Sequence, residues 1–235
     1  MKTEKEEGKK HFEAAQGQDL FALGLLPHGE TFLDIGSGGP INCNNTYTLE
    51  KNGWKGICVD NISDELLEEA HPNLESLYKE TRESQFFNMD ACSEEFIELI
   101  TETYPSKIID YISLDVDNSS VDCLAKLMAN GFNFKCMTFE HDLYNREVMN
   151  FIIKYQSKDI LLERGYFPLF ENVCLFTDGQ KPWEDWWINL NYLSSSKFLC
   201  SYNRSWQDCL QRVIKFSINS KEENPKLMEI ISKIK

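Results

Sequence analysis

Along the middle of the chain, short apolar runs alternate with longer stretches in which apolar residues recur at helical spacing. That alternation predicts βαβ units around a mainly parallel sheet. The run Thr31-Phe32-Leu33-Asp34-Ile35 predicts a first strand, stopped by Gly36-Ser37-Gly38-Gly39-Pro40. A short helix over residues 44–51 and a second strand over Lys55–Asp60 follow, with Ser63 or Asp64 placed to cap the helix behind it. A third strand is expected over 85–89, ending at Asp90. Ser93 then caps a helix with Phe96, Ile97 and Ile100 on one face. Residues 108–115 are apolar enough for a central strand covered on both faces. A helix over 121–129 closed by Asn130-Gly131, a fifth strand over 132–140 and a helix over 145–164 ending at Gly165 complete the alternation. Residues 166–170 and 173–177 are expected to pair antiparallel across Glu171-Asn172.

The expected fold class is therefore α/β, with helices on both faces of a mainly parallel sheet. Residues 1–180 read as one domain behind a polar segment over 1–15. Residues 181–235 hold Trp183, Trp186, Trp187 and Trp206 and read as an aromatic-rich extension packed on that domain.

Charge narrows the function classes. Against 24 Lys and Arg stand 38 Asp and Glu, a formal charge of −14, and no basic run occurs beyond the first ten residues. Such a field repels nucleic acid and anionic membrane, whose non-specific attraction is supplied by phosphate contacts. No stretch approaches the ~20 apolar residues of a membrane span, and no apolar segment follows the charged N-terminus as in a secretory signal. The eight cysteines contain no CxxC pair, the nearest two being Cys200 and Cys209. They read as reduced and structural, which places the protein in the cytoplasm.

Glycines behind a first strand let the backbone approach a ligand without interference from Cβ atoms. Here the element is Asp34-Ile35-Gly36-Ser37-Gly38. A dinucleotide fingerprint needs a third glycine where this chain has Ile41, so hydride transfer is disfavoured. Asp60 ends the second strand, where an acid can accept hydrogen bonds from both ribose hydroxyls of an adenosine; Asp90 ends the third, where a carboxylate can meet an adenine amino group. Asn61 and Ala91 are their immediate neighbours. Three acids at three consecutive strand ends lie on the edge where open α/β sheets bind ligands.

The sequence resembles FkbM-type S-adenosylmethionine-dependent methyltransferases. The likeness begins at Gln16-Gly17-Gln18-Asp19-Leu20, continues through TFLDIGSGG and NNTYTLEKNGWKGICVD, and runs on through DYISLDVD, TFEHD, ERGY and WEDWW in the family's order, covering residues 16–187. The resemblance implies a class I methyltransferase fold, a Rossmann-like seven-stranded sheet whose last strand is antiparallel. It also implies a cofactor site in which Asp34, Gly36, Ser37 and Gly38 cradle the methionine part of S-adenosylmethionine, Asp60 and Asn61 hold the ribose, and Asp90 and Ala91 the adenine. S-adenosylhomocysteine would be the product, and the activity O-methylation of sugars, lipids or natural products. Where many relatives have D-x-E-G-x-E, this chain has Asp115-Val116-Asp117-Asn118-Ser119-Ser120, without the glycine and the later glutamate.

Methyl transfer from a sulfonium to an alcohol needs the acceptor held in line and its proton removed. Candidates leave the fourth and fifth strands: Asp115, Asp117, Glu140, His141 and Asp142. Either His141 is the base, its ordinary pKa near ~6.5 suiting the task, or Asp115 joins Glu140 or Asp142 to bind Mg²⁺, which acidifies the hydroxyl. Of Trp186 and Trp187, one is expected inside and one against the C–H face of a sugar. Arg146 and Arg164 are expected in surface ion pairs. The expected acceptor is a sugar hydroxyl on a glycan or activated deoxysugar. A non-sugar small molecule or lipid, or an inert module that keeps the cofactor fold, are the alternatives.

Overall fold

The computed structural model describes residues 13–61, 73–174, 181–193, 201–202 and 204–219. Five parallel strands come first: β1 (Thr31–Ile35), β2 (Lys55–Asp60), β3 (Gln85–Asn88), β4 (Ile108–Leu114) and β5 (Asn133–Glu140). Then come β6 (Tyr166–Cys174), β7 (Pro182–Asn189) and the two-residue β8 (Ser201–Tyr202). The sheet order is β3-β2-β1-β4-β5-β7-β6-β8. Strand β7 runs antiparallel to both β5 and β6, and the rest of the sheet is parallel. Apart from the short edge strand β8, this is the order 3-2-1-4-5-7-6 of the Rossmann-like methyltransferase fold.

Helices cover both faces. On one lie α1 (Gln18–Leu25), α2 (Tyr47–Lys51), α3 (Leu74–Thr81) and α7 (Trp206–Asn219); on the other lie α4 (Glu94–Thr103), α5 (Ser120–Ala129) and α6 (Val148–Glu163). Ser93 caps α4 as expected, its hydroxyl accepting from the Phe96 N–H at 3.1 Å. Gly131 and Gly165, at φ 83° and 82°, end α5 and α6 in the left-handed conformation that glycine adopts without strain. No helix among the described residues is long and apolar enough to cross a membrane.

Two expectations are corrected at the far side of the sheet. The hairpin across Glu171-Asn172 does not form, because β6 runs straight through these residues with register shifts against β7. Asn172 sits at φ 54°, so the turn-like pair is a bulge inside a strand. Its antiparallel partner is Pro182–Asn189, the tryptophan-rich segment expected in an extension that starts at residue 181. The sheet therefore extends past residue 180, with β7 inserted between β5 and β6. The helix expected behind Ser63 or Asp64, residues 175–177 of the expected hairpin and most of the polar segment 1–15 lie outside the described residues.

Strand geometry decides the fate of the two adjacent tryptophans. Successive side chains in a strand point to opposite faces, so Trp186 enters one core layer and Trp187 the other, and neither has exposed surface. Trp186 packs 4.7 Å from the Phe21 ring and 5.7 Å from Phe170, between centroids. Neither tryptophan is available to stack on a sugar, which corrects the split expected from sequence. Removing the Trp186 side chain empties the layer that joins α1 to the sheet. Trp186→Ala is expected to lower stability by about 3–5 kcal/mol, read from chemical denaturation, and a loss under ~1 kcal/mol would contradict this packing.

Candidate functional site

The carboxyl ends of β1, β2, β3, β4 and β5 open into a cleft of about 750 Å³. The chain reverses there between neighbours β1 and β4, the switch point at which open α/β sheets take ligands. Backbone hydrogen bonds carry the strands into the loop: the Gly36 N–H donates to Val59 O at 2.9 Å and the Asp115 N–H to Ile35 O at 2.9 Å. A Cβ on Gly36, at φ 77°, would lie 1.5 Å from the Asp115 carbonyl oxygen, so only glycine fits. At Gly38, φ 56°, a Cβ would meet nothing within 4 Å, and the backbone faces the open cleft.

Of the residues expected to hold a cofactor, Gly36, Gly38, Asp60, Asn61, Asp90 and Ala91 all line this cleft. Asp60 accepts from the Gly38 N–H at 2.8 Å and from the Asn61 N–H at 2.8 Å, which fixes its carboxylate across the glycine loop. Asp90 accepts from the Cys92 N–H at 2.8 Å.

Asp34 and Ser37 are not part of the lining; they lie behind the loop. Asp34 is buried and accepts from the Thr46 hydroxyl at 2.7 Å, with burial pushing its pKa to about 6. The Ser37 hydroxyl accepts from Tyr78 at 2.9 Å. The reason is strand geometry: on β1 the Asp34 side chain points to the same face as Phe32, beneath the sheet's ligand edge.

Behind the loop, sequence reasoning missed a buried polar clamp. The Asn44 amide donates to Ser37 O at 3.0 Å and to Gly39 O at 3.2 Å. The Arg82 guanidinium donates to Pro40 O and to Asn44 Oδ1, each at 2.9 Å, and to Glu50 Oε2 at 2.9 Å. Burial pushes the Glu50 carboxyl up, but hydrogen bonds from Ser84 and the Glu83 N–H, with the Arg82 charge, outweigh it and hold the group at about 2. The Asn-Thr block was the readable signal, since its residues make this network. Arg82 stands in an unremarkable polar run and carried none.

The acids leaving β4 and β5 gather on the opposite wall. Asp115, Asp117 and Glu140 line the cleft beside Asp60 and Asp90, and no lysine, arginine or histidine lies among the lining residues. Burial raises the Asp115 carboxyl to about 7 despite its hydrogen bond to Glu140, helped by the charges of Asp117 and Asp142. Burial, the Asp115 charge and that same hydrogen bond push Glu140 far above the carboxylate range. The pair therefore shares a proton, held on Glu140 and directed at Asp115.

Two catalytic expectations meet competing contacts in this geometry. His141 is buried and does not line the cleft. Its Nδ1 accepts from the Leu143 N–H at 3.2 Å, while its Nε2 faces Asp185 Oδ1 at 3.3 Å. Both ring nitrogens are thus engaged by protein groups, and His141 borders a small adjoining pocket that shares Asp115, Asp117, Asn118 and Glu140 with the cleft. The buried Lys154 completes this cluster, donating to both Asp185 oxygens at 2.7 and 2.8 Å. Asp115, Glu140 and Asp142 do not fit a magnesium site. Asp115 and Glu140 are spent on each other, and among the described residues no group of three His, Cys, Asp or Glu is arranged to hold a metal. Arg164 donates to Met128 O at 3.2 Å, at the end of α5, where an ion pair was expected.

Carboxyls raised by burial bind more protons in the folded than in the unfolded chain. Their stabilisation is complete below the unfolded pKa and lost as pH climbs through the folded value. Asp34 at about 6, Asp115 at about 7 and Glu184 at about 8 act in this sense. Glu50 and Asp185, held at about 2, lose their contribution only in strong acid. The unfolding free energy is therefore expected to fall as pH rises from about 5 to about 8. Glu184→Gln, which keeps an acceptor for the Trp186 indole N–H, should flatten that fall, and denaturant melts over the pH series would refute the assignment if stability rose instead.

Neither a family model nor a curated protein matches the chain. Among solved structures, the chain is similar to a DUF574 family protein from Streptomyces avermitilis MA-4680, with a TM-score of 0.47 and 13% sequence identity over 74% of this chain and 81% of that one.

Proposed function

We propose that the protein is an S-adenosylmethionine-dependent O-methyltransferase acting on a sugar hydroxyl, as the resemblance to FkbM-type enzymes suggests. The observation that carries this reading is the cleft at the β1–β4 switch point, where the open backbone of Gly38, the clamped Asp60 carboxylate and the Asp90 loop meet in one space. Its volume of about 750 Å³ suits a nucleoside-sized ligand with room for an acceptor. Its all-acidic charged lining suits a sulfonium cation.

When bound, S-adenosylmethionine supplies a methyl group made electrophilic by the sulfonium. The chain's own residues do the rest. Gly36 and Gly38 keep the loop free of side chains beside the methionine part, Asp60 accepts from ribose hydroxyls, and the segment of Asp90 and Ala91 borders the adenine. Asp115 takes the acceptor's proton, because a carboxylate near neutral pKa, held by a protonated neighbour, is suited to general-base work. Acceptor-only carboxylates such as Asp117 pair naturally with the hydroxyl donors of a sugar.

Calorimetric titration with S-adenosylhomocysteine tests the cofactor, and a sugar-acceptor assay tests the base. Micromolar binding to the native protein, lost in Asp60→Ala, is the expected result. Asp115→Asn should keep that affinity and lower turnover by about 10²–10⁴-fold, whereas His141→Gln should retain turnover. Absence of binding to the native protein would remove the methyltransferase reading.

A further inference from the structure

The wall of the cleft between β3 and α5 is built around two thiols. Cys92 lines the cleft and is half-buried, and Cys123, in the first turn of α5, has no exposed surface. The two side chains are neighbours close enough to shift each other's titration. Each also reaches to the other's segment: Cys123 Sγ donates to Ala91 O at 3.6 Å, and Cys92 Sγ to Ser119 O at 3.8 Å. The Lys126 ammonium donates to the Cys92 carbonyl at 2.7 Å and fixes the same loop to α5. Contact with Cys123 brings the Cys92 thiol below its ordinary range, though burial and Asp90 oppose it, and raises Cys123. Cys92 is thus the more acidic thiol of the pair and Cys123 its neighbour. The other described cysteines differ: Cys58, Cys136, Cys174 and Cys209 are buried, and Cys43 is exposed away from the cleft lining.

We propose that Cys92 and Cys123 form a dithiol–disulfide pair, through which oxidation by a hydroperoxide reshapes the cleft wall carrying Asp90 and Ala91. The Cys92 thiolate attacks one peroxide oxygen. The O–O bond breaks with its electrons going to the other oxygen, which is protonated and leaves as water or an alcohol, and Cys92 becomes a sulfenic acid. The Cys123 sulfur then attacks the Cys92 sulfur, an S–S bond forms, and the hydroxide displaced takes the Cys123 proton and leaves as water. Two thiols are oxidised and one peroxide is reduced. The new bond draws the 90–92 loop onto α5, and because that loop borders the proposed adenine position, cofactor affinity falls. This consequence rests on the methyltransferase reading; the chemistry of the pair does not.

The test treats the reduced full-length protein with one equivalent of hydrogen peroxide. It is then digested without reductant for mass spectrometry, while a parallel sample is titrated with S-adenosylhomocysteine. The expected product is a Cys92–Cys123 linked peptide that dithiothreitol abolishes, absent from Cys92→Ala and Cys123→Ala and retained in Cys43→Ser. The oxidised protein should bind S-adenosylhomocysteine about tenfold more weakly, with affinity restored by dithiothreitol. Oxidation of Cys92 to a sulfinic acid, or of other cysteines, without the linked peptide would overturn the pair. A linked peptide with unchanged affinity would overturn its control of the cleft. If the reduced protein does not bind S-adenosylhomocysteine at all, the cofactor reading fails, while the linked peptide still decides the pair.

Discussion

At the β1–β4 switch point two backbones touch, and the cleft exists because they can. A single methyl group on Gly36 would come within 1.5 Å of the Asp115 carbonyl oxygen. Any other residue at position 36 would force the turn after β1 away from the end of β4. The glycine loop would then no longer face Asp115 across the cleft, and the geometry shared by Asp60, Asp90 and Asp115 would be lost. The left-handed φ at both Gly36 and Gly38 shows how far the turn departs from conformations open to other residues. Strand order brings the elements together, but this close approach sets the width of the site.

A turn so unlike regular structure needs support, and the protein provides it from behind with polar groups. Asn44, Tyr78 and Arg82 donate to carbonyls of residues 37–40 that a tight loop would leave unpaired, while Thr46 donates to Asn44 and Glu50 accepts from Arg82. Arg82 and Glu50 are buried together, an arrangement whose net worth is modest when intact. Removing one partner strands a buried charge, at about 3–5 kcal/mol. Such a network adds little to overall stability but leaves the loop one conformation. On the cleft side, the turn is held by the Asp60 carboxylate through the Gly38 N–H.

The opposite wall shows a different economy of charge. Five carboxyls line one cleft without a basic partner among the lining residues, and the repulsion is relieved by protons. Glu140 keeps its proton, Asp115 is brought close to neutrality, and the pair behaves as a unit. A charge that does have a partner lies outside the cleft lining: Lys154 pairs with Asp185 one layer deeper.

How much of this could be read from the chain follows from the range over which each signal acts. Strand periodicity and the glycine turn are local, so β1, β2, β4 and β5 and the strand-end acids Asp60, Asp90 and Asp115 stood in the sequence. The acid at 34 looked equivalent to them. Only the alternation of β1 against its neighbours turned it beneath the loop. Asn172 looked like a hairpin turn because a bulge and a turn use the same left-handed residue. Which strand then paired with β6 depended on a segment that the sequence presents as a cluster of tryptophans. His141 beside Glu140 and Asp142 read as a base, but its two nitrogens were claimed by Leu143 and by Asp185, the latter 44 residues away. The sequence by itself determined the α/β alternation, the glycine turn and the acidity of the ligand edge, because these depend on residues near one another along the chain. Tertiary structure alone decided which acids face the cleft, what engages the two nitrogens of His141 and where Arg82 and Trp186 lie, because burial and hydrogen-bond partners are set by segments that meet only when the sheet closes around them.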